Sequence, residues 1–320
     1  VVAQIALSFV LLVGALLFGQ SLSNLLETDT GIVSEGVVLA RIDAKLIEAE
    51  PERRLAIFRQ LESRIQAMPD VESAATVLMS PFSGRSWNRA VHADTEGPNA
   101  EGKLAWFDRV GPGYFLTMRT PLMAGRDFGE QDDADAPKVA IVNSKFAEEL
   151  FGDSNPIGRT FRTEGSAGEP DPTYQIVGMV ANTKYNTLRE VQKAIAYFPV
   201  DQDEGRSTEA SFLIRTRGSF SGVMAGVKRH MAEIDGGLLV AFRVLDEQVS
   251  SSVMREQLMA TLSGGFGLLA AMLSALGLYG VMSYMVARRR NEIGVRMALG
   301  AQRGDVRRLV FGEAGRLVLV

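Results

Sequence analysis

Residues 288–301 read Arg-Arg-Arg-Asn-Glu-Ile-Gly-Val-Arg-Met-Ala-Leu-Gly-Ala and follow at once on residues 258–287, a run of 30 without a charge. The uncharged run is long enough to cross a hydrocarbon core of about 30 Å with tilt, or to project beyond it. The segment behind it is short, basic and helical in pattern. Glu292 and Arg296 stand four apart in the order that supports a helix. Ile293, Met297 and Ala301 repeat at the same spacing, and Gly300 offers a stop. A compact charged helix fastened to the end of a membrane span is not a core element. Its apolar residues Ile293, Met297 and Leu299 fit two situations equally, lying on the bilayer or docking into a partner's groove.

The formal net charge of −4 hides a strong asymmetry. Residues 288–308 hold seven arginines against Glu292 and Asp305, giving +5, whereas residues 1–287 hold 26 basic and 35 acidic side chains, giving −9. Lys and Arg collect on the cytoplasmic flanks of spans, so the arginine-rich segment is cytoplasmic and the long acidic region lies outside. The same arginines suit anionic lipid headgroups, at about 1 kcal/mol per charge near the surface.

Working outward, residues 1–18 are apolar apart from Gln4 and Ser8. At 1.5 Å per residue they nearly cross the membrane. A basic start and a cleavage site, which a signal peptide needs, are not evident. A first span over residues 1–26 is expected, its start truncated, because the chain opens on Val1 without a methionine. The mean hydropathy of +0.06 agrees with apolar content concentrated in a few segments. Within the 245–287 helix the character is polar up to Gln257, after which Gly267, Ala271 and Ala275 fall one turn apart, with Ala270 and Ser274 beside them. This small-xxx-small spacing lets two membrane helices approach closely.

Residues 27–250 read as mixed α/β. Strands are expected at 37–42, 74–79, 103–110, 139–142, 159–162, 174–180, 194–198, 211–216 and 238–244. A helix over 51–68 places Leu55, Phe58, Leu61, Ile65 and Met68 on one face and ends at Pro69. Pro112 opens a short helix to 118. Asn143 or Ser144 caps another that runs through 151 and closes at Gly152. Residues 221–234 form the last. The polar stretches 83–98, 164–172 and 201–208 are loops.

Several chemistries drop out. The chain has no cysteine, hence no disulfide, thiolate metal site or Cys nucleophile. Gly97 to Lys103 has phosphate-loop spacing, but Leu104 stands where Ser or Thr would hold Mg²⁺ and an aromatic strand follows instead of a helix. Gly265-Phe266-Gly267-Leu268-Leu269-Ala270 mimics a dinucleotide fingerprint inside an uncharged span, where packing explains it. His92 and His230 are the only histidines and make no HExxH pattern. Asp132 and Asp133 sit in a turn where solvation is the default. No catalytic, metal or cofactor site is expected, nor a nucleic-acid partner; the chain is not expected to be an enzyme.

Tyr279-Gly280-Val281-Met282-Ser283-Tyr284, followed by the 288–301 segment, resembles the signature of FtsX-like permeases of the MacB type. Pro112-Gly113-Tyr114-Phe115, Gly125-Arg126-Asp127-Phe128, residues 139–143, Asn155-Pro156-Ile157-Gly158-Arg159 and Val177-Gly178-Met179-Val180 look like landmarks of the MacB periplasmic domain. Residues 1–24 are similar to the opening of the second half of the duplicated, ADOP-type permeases. The resemblance implies an α+β fold, with transmembrane helices and a large mixed α/β extracytoplasmic domain inserted between the first and second spans. Expected parts are a first span at 1–26, the extracytoplasmic domain at 27–250, a stalk and second span at 251–287, a cytoplasmic coupling helix at 288–304 and the start of a third span at 305–320. The FtsX-like portion is 258–320. The resemblance further implies a permease of an ABC system in which a cytoplasmic ATPase, separate or fused, grips the coupling helix. Glu292, Ile293, Gly294, Arg296, Leu299, Gly300 and Ala301 then belong to the coupling element. A sister permease half or second permease chain, membrane lipids and an envelope protein are the other expected partners, at the cell inner membrane. The alternative is a membrane-anchored binding or scaffold module without energy coupling.

Overall fold

The computed structural model describes residues 2–47, 50–94, 101–165, 171–202, 208–251, 254–299 and 304. The chain divides into a helical unit, Val1–Glu27 with Val253–Val320, and an α/β unit, Thr28–Ser252. Helix α1 (Val2–Leu26) opens the helical unit.

The α/β unit contains, in chain order, β1 (Val37–Asp43), α2 (Pro51–Gln66), β2 (Val71–Val77), β3 (Asn88–Ala93), β4 (Lys103–Val110), α3 (Tyr114–Met118), β5 (Leu122–Gly125), β6 (Val139–Asn143), α4 (Ser144–Phe151), β7 (Thr160–Thr163), β8 (Thr173–Val180), β9 (Ile195–Pro199), β10 (Glu209–Thr216), α5 (Phe220–Ile234), β11 (Leu239–Val244) and α6 (Leu245–Ser251). Among the described residues all eleven strands belong to one sheet, ordered β11-β1-β10-β2-β4-β3-β7-β8-β6-β9, with β5 on β8. Strand β9 also pairs in parallel with β4. That last pairing closes β4, β3, β7, β8, β6 and β9 into a ring, which removes their free edges. The remaining strands, β11-β1-β10-β2, form an open antiparallel sheet joined to the ring through Val77 opposite Val110.

Strand alternation sorts the side chains into three cores. Inside the ring, Phe107, Phe161, Tyr174 and Phe198 pack against one another, Phe161 and Tyr174 stacked and the other pairs edge-on or tilted, with Phe146 of α4 edge-on to Phe161. One face of the open sheet (Ala40, Ile42, Phe212, Ile214) is covered by α2 and α5 through Phe58, Leu61, Ile65, Val223 and Val227. The other face (Val37, Leu39, Ala75, Val77, Leu213) meets the outside of the ring (Val110, Ile141, Ile195, Tyr197), and α3 fills the seam with Tyr114, Phe115 and Met118. Each such large apolar side chain, fully buried, stabilises by roughly 1.5–3 kcal/mol, so the seam is a true core.

Local chemistry accounts for the boundaries. Asn143 caps α4 by accepting from Phe146 N, and the same oxygen accepts from Ile195 N, so one buried side chain starts a helix and fixes β9. Gly152 closes α4 at φ +61°. The helix after Pro112 begins only at Tyr114, because Gly113 stands at φ +78°, outside helical space. On α2 the buried face takes Ile57 with Phe58, Leu61 and Ile65, while Leu55 is exposed. Asp132 is not solvated as expected: it is buried, and both its oxygens accept from the Arg126 guanidinium at 2.7 and 2.8 Å. Burial pushes the Asp132 carboxyl up, but the Arg126 and Gly129 N–H donors outweigh it and hold it below the ordinary carboxylate value. Strand β3 lies in a stretch expected to be loop, and the four-residue β5 gave no sequence signal.

The helical unit continues with α7 (Met254–Arg288) and α8 (Arg290–Ala298). Helices over Ala6–Leu25 and Gln257–Arg288 are long and apolar enough to cross a membrane. The expected third span at 305–320 lies outside the described residues.

Candidate functional site

Helix α8 is positioned by the break at Arg289, after which Ile293 N donates to Arg289 O at 2.9 Å and Leu299 N to Val295 O at 3.0 Å. Glu292 lies in its first turn, where a carboxylate complements the helix dipole. Ile293 is half-buried, and Glu292, Gly294, Val295 and Leu299 are exposed, Leu299 by 83%. The backbone of Arg296 belongs to the helix. Gly300 and Ala301 lie outside the described residues. A nine-residue helix that, with the residue after it, keeps the apolar Val295 and Leu299 in the open is a surface suited to being covered.

Helices α1 and α7 pack together around a line of small residues. Gly267 is buried with its Cα face toward α1, and a Cβ there would stand 3.5 Å from Leu11 O and from Leu12 Cδ2. Two turns on, the Ser8 hydroxyl donates to Ala270 O at 3.0 Å and meets the Ser274 hydroxyl at 2.6 Å, both serines being buried. Ala271 is half-buried, and Ala275 is exposed. The buried line runs 267, 270–271, 274 and 277–278. This alternation of three and four residues keeps one face on a neighbour, which a strict spacing of four does not.

The third element is where the α/β unit receives the chain on either side of it. Segment 28–36, which follows α1, is threaded between α3 and the loop after β8: Lys184 N donates to Thr30 O, Val33 N to Met118 O, and the Thr120 hydroxyl to Gly31 O. Gly31 has φ +72°, and a Cβ there would lie 2.1 Å from Asn182 O. Arg215 of β10 completes the hold. It is 3% exposed and donates to Thr117 O at 2.7 Å, Glu35 O at 2.8 Å and Val33 O at 2.5 Å. Burial first, and Arg119 second, push its guanidinium below the ordinary arginine value. On the other side, Leu245 of α6 is fully buried, Gln248 donates to Ser80 Oγ and Pro81 O, and Asp246 accepts from the Ser34 hydroxyl. Sequence reasoning did not single out Arg215. Its only mark is a charge at an inward position of the apolar run Ser211-Phe212-Leu213-Ile214-Arg215.

The description MacB-like periplasmic core domain fits residues 2–233, and FtsX-like permease C-terminal fits residues 264–320. This chain belongs to the MacB/FtsX-type ABC permease family. The family is one of membrane permeases with a periplasmic domain. The chain is 29% identical over 272 residues to the pyoverdine export ATP-binding/permease protein PvdT of Pseudomonas aeruginosa, covering 80% of this chain and 37% of that protein. It is 25% identical to the macrolide export ATP-binding/permease protein MacB of Bdellovibrio bacteriovorus, over 62% of this chain and 31% of the relative. The ABC transporter permease YknZ of Bacillus subtilis matches at 22% over 81% of this chain and 62% of its own length. The chain therefore spans about a third of the first two relatives. Among solved structures it resembles the periplasmic region of MacB from Actinobacillus actinomycetemcomitans, at 13% identity and a TM-score of 0.44, covering 70% of this chain and 95% of that one. Among the described residues no group of His, Cys, Asp and Glu could hold a metal ion.

Proposed function

We propose that this chain is the integral-membrane permease part of an ABC system and transmits ATP-driven motion from a cytoplasmic ATPase to an extracytoplasmic domain, for efflux or envelope-directed work. The observation that carries the proposal is the double anchoring of the α/β unit. The segment after α1 is fixed by Arg215 and the segment before α7 by Gln248. A helix tied to a folded unit through a floppy linker delivers no displacement, and segments 28–36 and 245–251 on the α/β side of the two connections are hydrogen-bonded into its core. The names of PvdT and MacB, both ATP-binding/permease proteins, support an ATPase on the same or another chain. Under this proposal residues 1–26 and 251–287 cross the inner membrane, 27–250 lie outside, 288–304 form the coupling helix and 305–320 begin a third span. Glu292, Ile293, Gly294, Arg296, Leu299, Gly300 and Ala301 meet the ATPase, and Gly267, Ala271 and Ala275 pack spans of this chain, a sister half or a second permease chain.

The test uses the full-length protein, reconstituted in vesicles with its ATPase. Glu292→Lys and Arg296→Glu are expected to lower permease-dependent ATP hydrolysis by about 5- to 150-fold, the range of ordinary coupling energies. Unchanged hydrolysis together with unchanged ATPase binding overturns the proposal. If no ATPase copurifies in mild detergent, a scaffold role without energy coupling takes its place.

A further inference from the structure

The open sheet has two edges, and the chain treats them differently. At β2 the edge is closed: Glu62 of α2 accepts from Thr76 N at 2.9 Å, Gln66 donates to Ala74 O at 2.9 Å, and Gly111 N donates to Thr76 O at 2.8 Å. At β11, among the described residues, no such group closes the outer edge. The ladder pattern shows which backbone groups that leaves outward. Ala44 N donates to Thr208 O and Thr216 N to Gly36 O, in the register that pairs β1 with β10. Hydrogen-bonded pairs alternate along an antiparallel ladder, so the even-numbered residues of β1 bond β10 and the odd-numbered ones bond β11. Leu39, Arg41 and Asp43 stand opposite Arg243, Ala241 and Leu239. The N–H and C=O groups of Val240, Phe242 and Val244 therefore point away from the sheet.

Exposed edges pair with other chains, and proteins blunt them with proline, bulges, inward charges or very short strands. Strand β11, Leu-Val-Ala-Phe-Arg-Val, has no proline and no shift of register against β1. Its two faces differ. Val240 and Phe242 are half-buried against the core under α2 and α5. On the other face Leu239 is 54% exposed, Ala241 and Arg243 are exposed, and the exposed Arg41 of β1 lies beside Ala241. Asp43, opposite Leu239, is held by Lys45 at 3.2 Å. Among the described residues neither Arg41 nor Arg243 has a carboxylate partner.

We infer that the outer edge of β11 is a docking site for an extended acidic segment of another protein, which adds to the sheet as one more antiparallel strand. Alternate side chains of the added strand face opposite ways. Its apolar residues lie beside Val240, Phe242 and Val244, and its carboxylates beside Arg243 and within reach of the long Arg41 side chain, as favourable opposite-charge neighbours. A second copy of this chain fits less well. Strand β11 contains no Asp or Glu, so two copies joined edge to edge leave their arginines unmatched. An added strand turns β11 from an edge into an interior strand, immediately before the α6 segment that leads to α7.

The probe is a fluorescein-labelled peptide, as long as β11, of alternating valine and glutamate. It is titrated with the full-length protein in nanodiscs and followed by fluorescence anisotropy. Saturable binding below about 1 mM is expected. The same peptide with N-methylated valines loses the donors that meet Val240, Phe242 and Val244, and should bind at least about tenfold more weakly. Val240→Pro removes one outward donor and leaves the ladder to β1 in place, with a similar loss expected. Arg243→Glu should weaken the glutamate peptide by about three- to tenfold and create binding of its lysine counterpart. If Val240→Pro does not fold, Arg243→Glu, a change at an exposed side chain, carries the test. Absence of saturable binding overturns the assignment, as does equal binding of the N-methylated or the lysine peptide to the unmutated protein. A dimer that Val240→Pro separates into single chains makes a second copy the occupant and equally overturns it.

Discussion

Replacing Arg215 by Met keeps the length and apolar body of the side chain and removes its donors. Three carbonyls lose a partner. Thr117 O is buried, and leaving it orphaned costs about 1–3 kcal/mol. Glu35 O and Val33 O are part-buried, so water replaces the guanidinium there at a cost of about 0.5–1.5 kcal/mol each. Against this stands the relief of an ion buried without a carboxylate partner, whose cost shows in the lowered pKa of the guanidinium. The balance is a destabilisation of about 1–4 kcal/mol. Arg215→Lys should be no better, because one compact ammonium cannot reach three carbonyls on two segments. Location separates this reasoning from a general loss of stability. Amide exchange at residues 30–36 should rise by about tenfold or more in Arg215→Met, since 1.4 kcal/mol of local opening is tenfold, while exchange in β6 and β9 stays near wild type. The assay is hydrogen exchange read by mass spectrometry on the full-length protein in detergent, with urea unfolding in parallel. Unchanged exchange at 30–36, or a uniform rise across the ring strands, refutes the assignment of Arg215 as the hold on this segment.

Two further outcomes follow from other parts of the chain. Burial in the folded state raises the Asp108 carboxyl well above its ordinary value, so it binds its proton more tightly than the unfolded state does. Its contribution is therefore fully present below the unfolded value and lost as pH rises through the folded one. The difference in melting temperature, Asp108→Asn minus wild type, should grow from about pH 4 upward; a difference that shrinks with pH contradicts the burial argument. In the helical unit, a Ser8→Cys/Ser274→Cys pair should oxidise readily in a chain that has no other cysteine, given hydroxyls 2.6 Å apart. Adding Gly267→Leu should slow that oxidation by about tenfold, because a Cβ at 3.5 Å from Leu11 O leaves no room for the rest of a leucine, whereas equal rates would show that the helices do not meet at Gly267.

Legibility in the sequence followed the physics of each element. Strand β4 was readable to the residue over Lys103–Val110, and α4 with its Asn143 cap and Gly152 close, because their signals are local. Strand β3 was not, since Asn88-Arg89-Ala90-Val91-His92-Ala93 has little apolar content of its own and is made a strand by pairing with β4 and β7. The α2 face slipped from Leu55 to Ile57 because both positions are apolar and only the open sheet beneath decides which turns in. Asp132 misled for the same reason: its partner Arg126 is close in sequence, but a bidentate geometry is invisible without the turn that makes it. The two long apolar helices and the start of α8 were plain from composition. Arg215 and Asp108 were not, because a lone charge in an apolar strand reads as an exposed position until a second sheet covers it.

The sheet order gives the proposed transmission a path. Strand β1 follows the segment after α1, and β11 precedes α6, the segment before α7. These two strands are neighbours, paired antiparallel from Val38 opposite Val244 to Asp43 opposite Leu239. A pull of one connection against the other would therefore load this ladder, which lies between them. On the far side of β1 lies β10, which carries Arg215 and is paired with β1 from Val37 to Asp43. The two connections thus enter one continuous three-stranded block. The block continues through β2 on the far side of β10, and among the described residues the open sheet's link to the ring is at Val77 of β2 opposite Val110, two residues from Asp108 on β4. A load that the block resists is passed to that seam, where the Met79–Asp108 hydrogen bond and a small cavity lie. Weakening the ladder should then uncouple the unit without unfolding it. Leu39→Pro, which removes one β1 N–H, destroys the fold and tests nothing. A milder change, Arg243→Pro on the edge strand β11 opposite Leu39, leaves β1, β10 and the three cores in place. It should abolish permease-dependent stimulation of the ATPase while the ring keeps its exchange protection. Full stimulation in a folded Arg243→Pro protein would rule out β11 as the route by which α7 reaches the sheet.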